Sequence, residues 1–191
     1  MQRRTNLAGA RRLIRSILAA IALAAPLHAE EAMPDAYTPP PPETWTFLSD
    51  RVMGGVSDGR VTVEPGPDGP VLHLSGTVST ENRGGFIQTR VALDAPLPAG
   101  ARGVVLRVKG DGQRYFVHIR TRGSVLPWQF YQAPFDTDGQ WQEVRLPFEA
   151  FAPRGGLLRA RLRPETVESV GIAAYGRDHV ADLRAVWTRL F

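Results

Sequence analysis

The 191 residues contain no cysteine. That excludes disulfides, thiol catalysis and Cys-based zinc sites. Also missing is an apolar run long enough to cross a bilayer. Ile17 to Ala25 is uninterrupted but holds nine residues, against the roughly 20 a spanning helix needs. An excess of charge is missing as well, despite the formal +4. Five of the 23 basic residues (Arg3, Arg4, Arg11, Arg12 and Arg15) fall in the first 29 positions, where there is no acid, so the remainder carries 18 basic against 19 acidic side chains. A near-neutral domain has no global pull on phosphate backbones, so the usual footprint of nucleic-acid binding is absent. Membrane contact is expected only through a partner.

The first 29 residues read as a secretory signal peptide. A basic segment precedes the apolar block, Pro26 breaks it, and Leu27-His28-Ala29 places a small residue before the expected cut. The alternative is a mitochondrial transit peptide, because the segment is Arg-rich and acid-free. The concentrated apolar block favours export, to a bacterial periplasm. Residues 30–43, which include Pro39-Pro40-Pro41-Pro42, read as an extended Pro-rich linker.

Residues 44–191 read as a single all-β domain. Val104, Leu106 and Val108 alternate with Val105, Arg107 and Lys109, and Tyr115, Val117 and Ile119 with Phe116, His118 and Arg120. Val144, Leu146 and Phe148 alternate with Arg145 and Pro147. Period two marks strands with one buried and one wet face. Further strands are expected at 71–79, 86–93, 129–133, 167–174 and 182–190, about nine in all. Turn signals separate them at Pro67-Asp68-Gly69, Pro98-Ala99-Gly100, Gly110-Asp111-Gly112 and Asp138-Gly139. The spacing is that of a β-sandwich or jelly roll, with one helical turn near Pro164–Val167.

Several clusters are more particular than composition requires. Trp45 precedes Asp50-Arg51-Val52-Met53-Gly54-Gly55-Val56-Ser57. Glu81-Asn82-Arg83-Gly84-Gly85-Phe86 follows, then Lys109-Gly110-Asp111-Gly112-Gln113-Arg114-Tyr115. Tyr131 and Phe135 lead to Trp141, to Leu146-Pro147-Phe148 with Phe151, and to Ser169-Val170-Gly171-Ile172. In this order the set resembles the complex I intermediate-associated protein 30 family, over Trp45 to Phe191. The resemblance implies a galactose-binding-domain-like β-sandwich. It also implies a non-catalytic assembly factor whose partners are respiratory complex subunits or assembly intermediates, and it implies no cofactor.

The residues themselves leave alternatives open. Paired glycines at Gly54-Gly55 and Gly84-Gly85 suit tight turns and close backbone approach. Asp50 and Glu81 beside them serve either those turns or a ligand. If the two loops meet at one end of the sandwich, Asp50, Ser57, Glu81 and Asn82 converge on a candidate binding site. Trp128 and Tyr131, with Phe130, form an aromatic cluster that is either core or a platform for a sugar or protein. Asp111 reads as a hairpin residue, and Trp141 as a ring covering the sandwich interior. Asp136, Thr137 and Asp138 could offer oxygens to calcium but lack a full loop pattern. His73, His118 and His179 lack metal-ligand spacing, and the first two fit wet strand faces. Ser57 and Ser79 have no neighbouring base, so no catalytic constellation is visible. The two functional readings are a protein-docking assembly factor and an exported carbohydrate-binding module. An unrecognised hydrolase is a distant third.

Overall fold

Alternation along the chain becomes two apolar sheet faces that bury each other. The computed structural model describes residues 37–191; the expected leader and its cut after Ala29 lie outside the described residues. Eleven strands are present there: β1 (Thr46–Ser49), β2 (Asp58–Gly66), β3 (Gly69–Val78), β4 (Phe86–Ala92), β5 (Gly103–Gly110), β6 (Arg114–Thr121), β7 (Phe130–Asp136), β8 (Gln142–Pro147), β9 (Ala152–Arg154), β10 (Val167–Tyr175) and β11 (His179–Leu190). Pairing is antiparallel throughout. One sheet has the order β1-β4-β10-β6-β7-β9 and the other β2-β3-β11-β5-β8. The chain changes sheet after β1, β3, β4, β5, β7, β8 and β10, a jelly-roll-like winding. The remaining regular pieces are short 3-10 turns, one of them at Pro164–Thr166.

Between the sheets lie Tyr115, Val117 and Ile119 of β6 with Ile172 of β10, facing Leu72 and Leu74 of β3 and Leu106 of β5. Each fully buried aliphatic of this kind contributes roughly 1.5–3 kcal/mol. Tyr131, Phe135, Phe148 and Phe151 join the same core, and so does Trp45, whose indole N–H donates to the Pro40 carbonyl at 3.4 Å.

Several expectations need correction. Gly110-Asp111-Gly112 is a corner between sheets rather than a hairpin, because β5 and β6 belong to different sheets. Asp111 accepts the Tyr115 hydroxyl at 2.8 Å there, and burial holds that phenol far above its ordinary pKa. Trp141 is only half-buried and stands apart from the core. It lines a groove with Val71 and Trp187 that also takes Pro39 to Pro42. Tyr37 packs on Trp187 with ring centroids 5.5 Å apart, so the last part of the expected linker lies against the domain instead of spacing it. His118 is buried, not wet. Its strand does alternate, but the outer side of β6 is covered by the features described next.

Candidate binding cleft

The outward residues of the six-stranded sheet form the floor of a cleft. Register places Arg90 of β4 opposite Gly171 of β10, Gly171 opposite His118 of β6, and His118 opposite Gln132 of β7. Gly171 leaves the centre of that row without a side chain. A Cβ there would come within 3.1 Å of the Gln88 side-chain oxygen. The hollow is part of a cleft of about 500 Å³ lined also by Phe86, Ser169, Phe130 and Tyr175. That volume lies in the usual range for ligand sites, about 300–1,000 Å³.

Rings make much of the floor. His118 stacks on Phe130 with centroids 4.3 Å apart and planes at 29°. Tyr175 meets both edge-on, at 5.3 Å from His118 and 6.0 Å from Phe130. Burial pushes the His118 pKa down to about 3, and Arg154 adds to the effect. A neutral imidazole fits its partner, since the Gln132 amide nitrogen lies 2.9 Å from His118 Nε2 and donates to it. The ring proton then sits on Nδ1, which has no hydrogen-bond partner among the described residues.

One wall is the 3-10 turn Asp50–Met53, whose Val52 and Met53 stand exposed at 68% and 50%. Exposed apolar side chains grouped at a cleft are the kind that mark interaction surfaces. The turn is anchored by Asp50, which is fully buried. Its carboxylate accepts the Ser57 amide at 2.9 Å, the Ser57 hydroxyl at 2.5 Å, the Gly85 amide at 2.5 Å and the Phe86 amide at 3.2 Å. Burial alone would raise the pKa of this group, but the Ser57 hydroxyl and the amides of Gly85, Phe86 and Ser57 more than offset it and hold the carboxyl below its ordinary value. One glycine of each pair follows from this carboxylate. A Cβ on Gly55 or on Gly84 would run into it.

The opposite wall is the loop between β6 and β7, carrying Val125, Pro127 and Trp128. Arg120 reaches back from β6 to donate to the carbonyls of Leu126, Pro127, Gln129 and Ser124 at 2.6–3.1 Å. Buried Gln129 accepts the Leu126 amide at 2.9 Å and donates to the Gly156 carbonyl at 3.0 Å. Both walls are therefore preorganised by interior polar groups.

The candidate residues divide accordingly. Asp50 and Ser57 are brought together, but as an interior clamp with their polar atoms occupied. Glu81 and Asn82 sit exposed on the adjoining turn, and Asn82 and Arg83 hold left-handed backbone at φ 54° and 61°. Trp128 lines the cleft with 53% of its surface exposed. Tyr131 points the other way, into the core, and its hydroxyl donates to the Arg159 carbonyl at 2.9 Å. Among the residues that carry the family resemblance, Met53, Gly84 and Phe86 line the cleft. Asp136 pairs with Arg114, and Asp138 accepts the Gln140 amide. Among the described residues no three His, Asp or Glu side chains are grouped to hold a metal. Sequence reasoning missed His118, Arg120, Gln129 and Tyr175. Only the placement of Phe116, His118 and Arg120 on the outer side of a strand hinted at them.

The model of the family described as Complex I intermediate-associated protein 30 matches residues 35–182. The chain belongs to that family. The match takes in the Asp50 clamp, both cleft walls and all the strands that make the cleft floor. No curated protein matches the chain in sequence. Among solved structures, this family member is similar to the family 11 carbohydrate-binding module from Clostridium thermocellum, in complex with a β-1,3-1,4-mixed-linked tetrasaccharide. That similarity has a TM-score of 0.63 at 15% identity, over 78% of this chain and 88% of that one. The family 11 carbohydrate-binding module of the cellulosomal cellulase Lic26A-Cel5E of Clostridium thermocellum gives 0.64 at 16% identity, over 78% and 87%. A family 30 carbohydrate-binding module gives 0.53 at 11% identity, over 72% and 91%. At these identities the likeness concerns the two-sheet architecture.

Proposed function

We propose that this protein is a non-catalytic binding factor that works through the cleft on its six-stranded sheet. Within that class it is an exported assembly factor docking on protein partners, with respiratory complex subunits as the first candidates. The family match carries this reading. The cleft supports its non-catalytic part. Its one histidine is buried, with a pKa pushed down to about 3, and the nearby carboxylate of Asp50 is consumed by four internal hydrogen bonds. Neither is poised for proton transfer near neutral pH. A periplasmic site of action belongs to the proposal and rests on the leader. Co-purification of the tagged protein from membranes tests the reading. Recovery of complex I subunits or of an assembly intermediate is the expected result; their absence from the recovered material contradicts it.

A second reading is favoured by the cleft itself. Trp128, Phe130 and Tyr175 offer ring surfaces beside the polar groups of Gln88 and Ser169, which is the combination that sugar recognition uses. The architecture is also that of carbohydrate-binding modules, one of them solved with a tetrasaccharide; this is a fold-level analogy. A glycan array decides the matter. Binding of a defined oligosaccharide class, lost on Trp128→Ala, supports the module reading, and a blank array removes it.

A further inference from the structure

The charge lining the cleft has one sign. Arg83, Arg90 and Arg120 contribute to the lining, and no Asp or Glu does. Arg120 is committed to four loop carbonyls, with Glu168 attracting it from outside the lining. Arg83 and Arg90 are different: neither side chain has a hydrogen bond or ion pair among the described residues. Outside the cleft, Arg51, Arg107, Arg114, Arg163 and Arg184 each face a carboxylate, while Arg60, Arg102, Arg161 and Arg177 have no side-chain partner among the described residues either. What sets Arg83 and Arg90 apart is their place in a lining without a carboxylate. Arg90 is half-buried in the floor, directly across from Gly171, and its charge adds to burial in lowering the Arg120 pKa. Arg83 sits at the lip on a left-handed backbone at φ 61°, a conformation that costs a non-glycine residue and is found enriched at binding sites.

We infer that the cleft binds an acidic oligosaccharide, a run of sugar rings carrying carboxylates, with Arg90 as the principal carboxylate receptor. This rests on the carbohydrate reading above and names the ligand class within it. The Trp128 and Tyr175 rings take the apolar faces of the sugars, while Ser169 and the free Nδ1–H of His118 serve their hydroxyls. The guanidinium of Arg90 takes a carboxylate through paired hydrogen bonds, the geometry for which arginine is suited. A neutral sugar chain would cover Arg90 with hydroxyl acceptors alone and leave its charge partly desolvated without a counter-charge, a weaker compensation than a carboxylate gives. An acidic peptide is a poorer match. β4, which carries Arg90, is paired on both sides by β1 and β10, and β6, which carries His118, by β10 and β7, so neither strand offers a free edge beside Arg90 to hold a peptide backbone.

Calorimetric titration of the full chain tests this, with an oligogalacturonate and a neutral mixed-linkage β-glucan oligosaccharide of equal length. The expected result is at least tenfold tighter binding of the acidic ligand, weakened by added salt. Arg90→Gln should remove that preference by weakening the acidic ligand at least tenfold. Arg83→Gln, at an exposed position, should weaken acidic binding even if Arg90→Gln misfolds. Equal affinity for the two ligands overturns the assignment of charge and leaves the carbohydrate reading standing. Binding of neither overturns both. A poly-glutamate peptide that binds as tightly as oligogalacturonate shows attraction without sugar recognition, and also overturns the inference.

Discussion

The carboxylate of Asp50 and the backbone amide of Gly85, 35 residues apart, are joined by a 2.5 Å hydrogen bond. That bond ties the turn carrying Val52 and Met53 to the start of β4, and so fixes one wall of the cleft to its floor. Asp50→Asn replaces an acceptor oxygen with a donor that would face the Gly85 and Phe86 amides. The expected cost is about 3 kcal/mol, since hydrogen bonds to a buried charge are worth roughly 1.5–3 each and an unsatisfied donor adds to the loss. Urea midpoints of the two proteins measure it.

The same carboxylate sets an acid limit. Its folded pKa lies below the ordinary value of 3.8, so the stability it contributes is present above pH 3.8 and is lost as pH falls through the folded pKa. His118 acts in a different window. Its pKa drops from 6.5 to about 3 on folding, so the unfolded chain binds a proton that the folded chain refuses, and stability declines as pH falls from 6.5 towards 3. His118→Gln should flatten the profile between pH 6.5 and 4, while Asp50→Asn should flatten it only below pH 4. Denaturation midpoints across pH 2–8 for the three proteins separate the effects.

Trp128 and Tyr131 are three positions apart and should respond in opposite ways to truncation. Trp128 is 53% exposed on the cleft wall and Tyr131 is 2% exposed in the core. Tyr131→Ala should cost roughly 3–5 kcal/mol, as for other large core aromatics. Trp128→Ala should leave stability close to wild type, near the roughly 0.5 kcal/mol range of ordinary surface changes. Differential scanning calorimetry of both variants checks the contrast.

Trp141 provides a related test. Its ring lies with Pro39 to Pro42 in the groove beside Trp187, outside the main core. Trp141→Ala is therefore expected to cost about 1–2 kcal/mol, well below the roughly 3–5 of a core tryptophan. The variant should also make the segment around Tyr37 easier to cleave. Limited proteolysis followed by mass measurement reads that second effect.

The architecture was largely legible in the sequence. Alternation identified β5, β6 and β8, and it put Tyr115, Val117 and Ile119 on the inner side. The expectation left out β1, β2 and β9. β1 and β9 are only four and three residues long, and β9 contains Pro153. β2 does alternate, Val61 and Val63 against Arg60, Thr62 and Glu64, but Pro65 lies near its end. The candidate site was legible only in part, because its floor depends on which strands are neighbours. Arg90, Gly171, His118 and Gln132 share a row through pairings between segments far apart in the chain. Nothing local in the sequence shows that order. The two glycine pairs stood out in the sequence, but the reason for Gly55 and Gly84, the bulk of the Asp50 carboxylate, is a contact across the fold.

The most direct test of the cleft as the working surface measures stability and partner recovery on the same protein. A Trp128→Ala, Tyr175→Ala double variant removes the wall ring and a half-buried floor ring while sparing the Asp50 clamp and the core. The account predicts a folded protein with a single cooperative unfolding transition that no longer recovers the partner or glycan captured by the wild type. A double variant that folds and recovers that same ligand in full would contradict it and place the binding surface elsewhere on the sandwich.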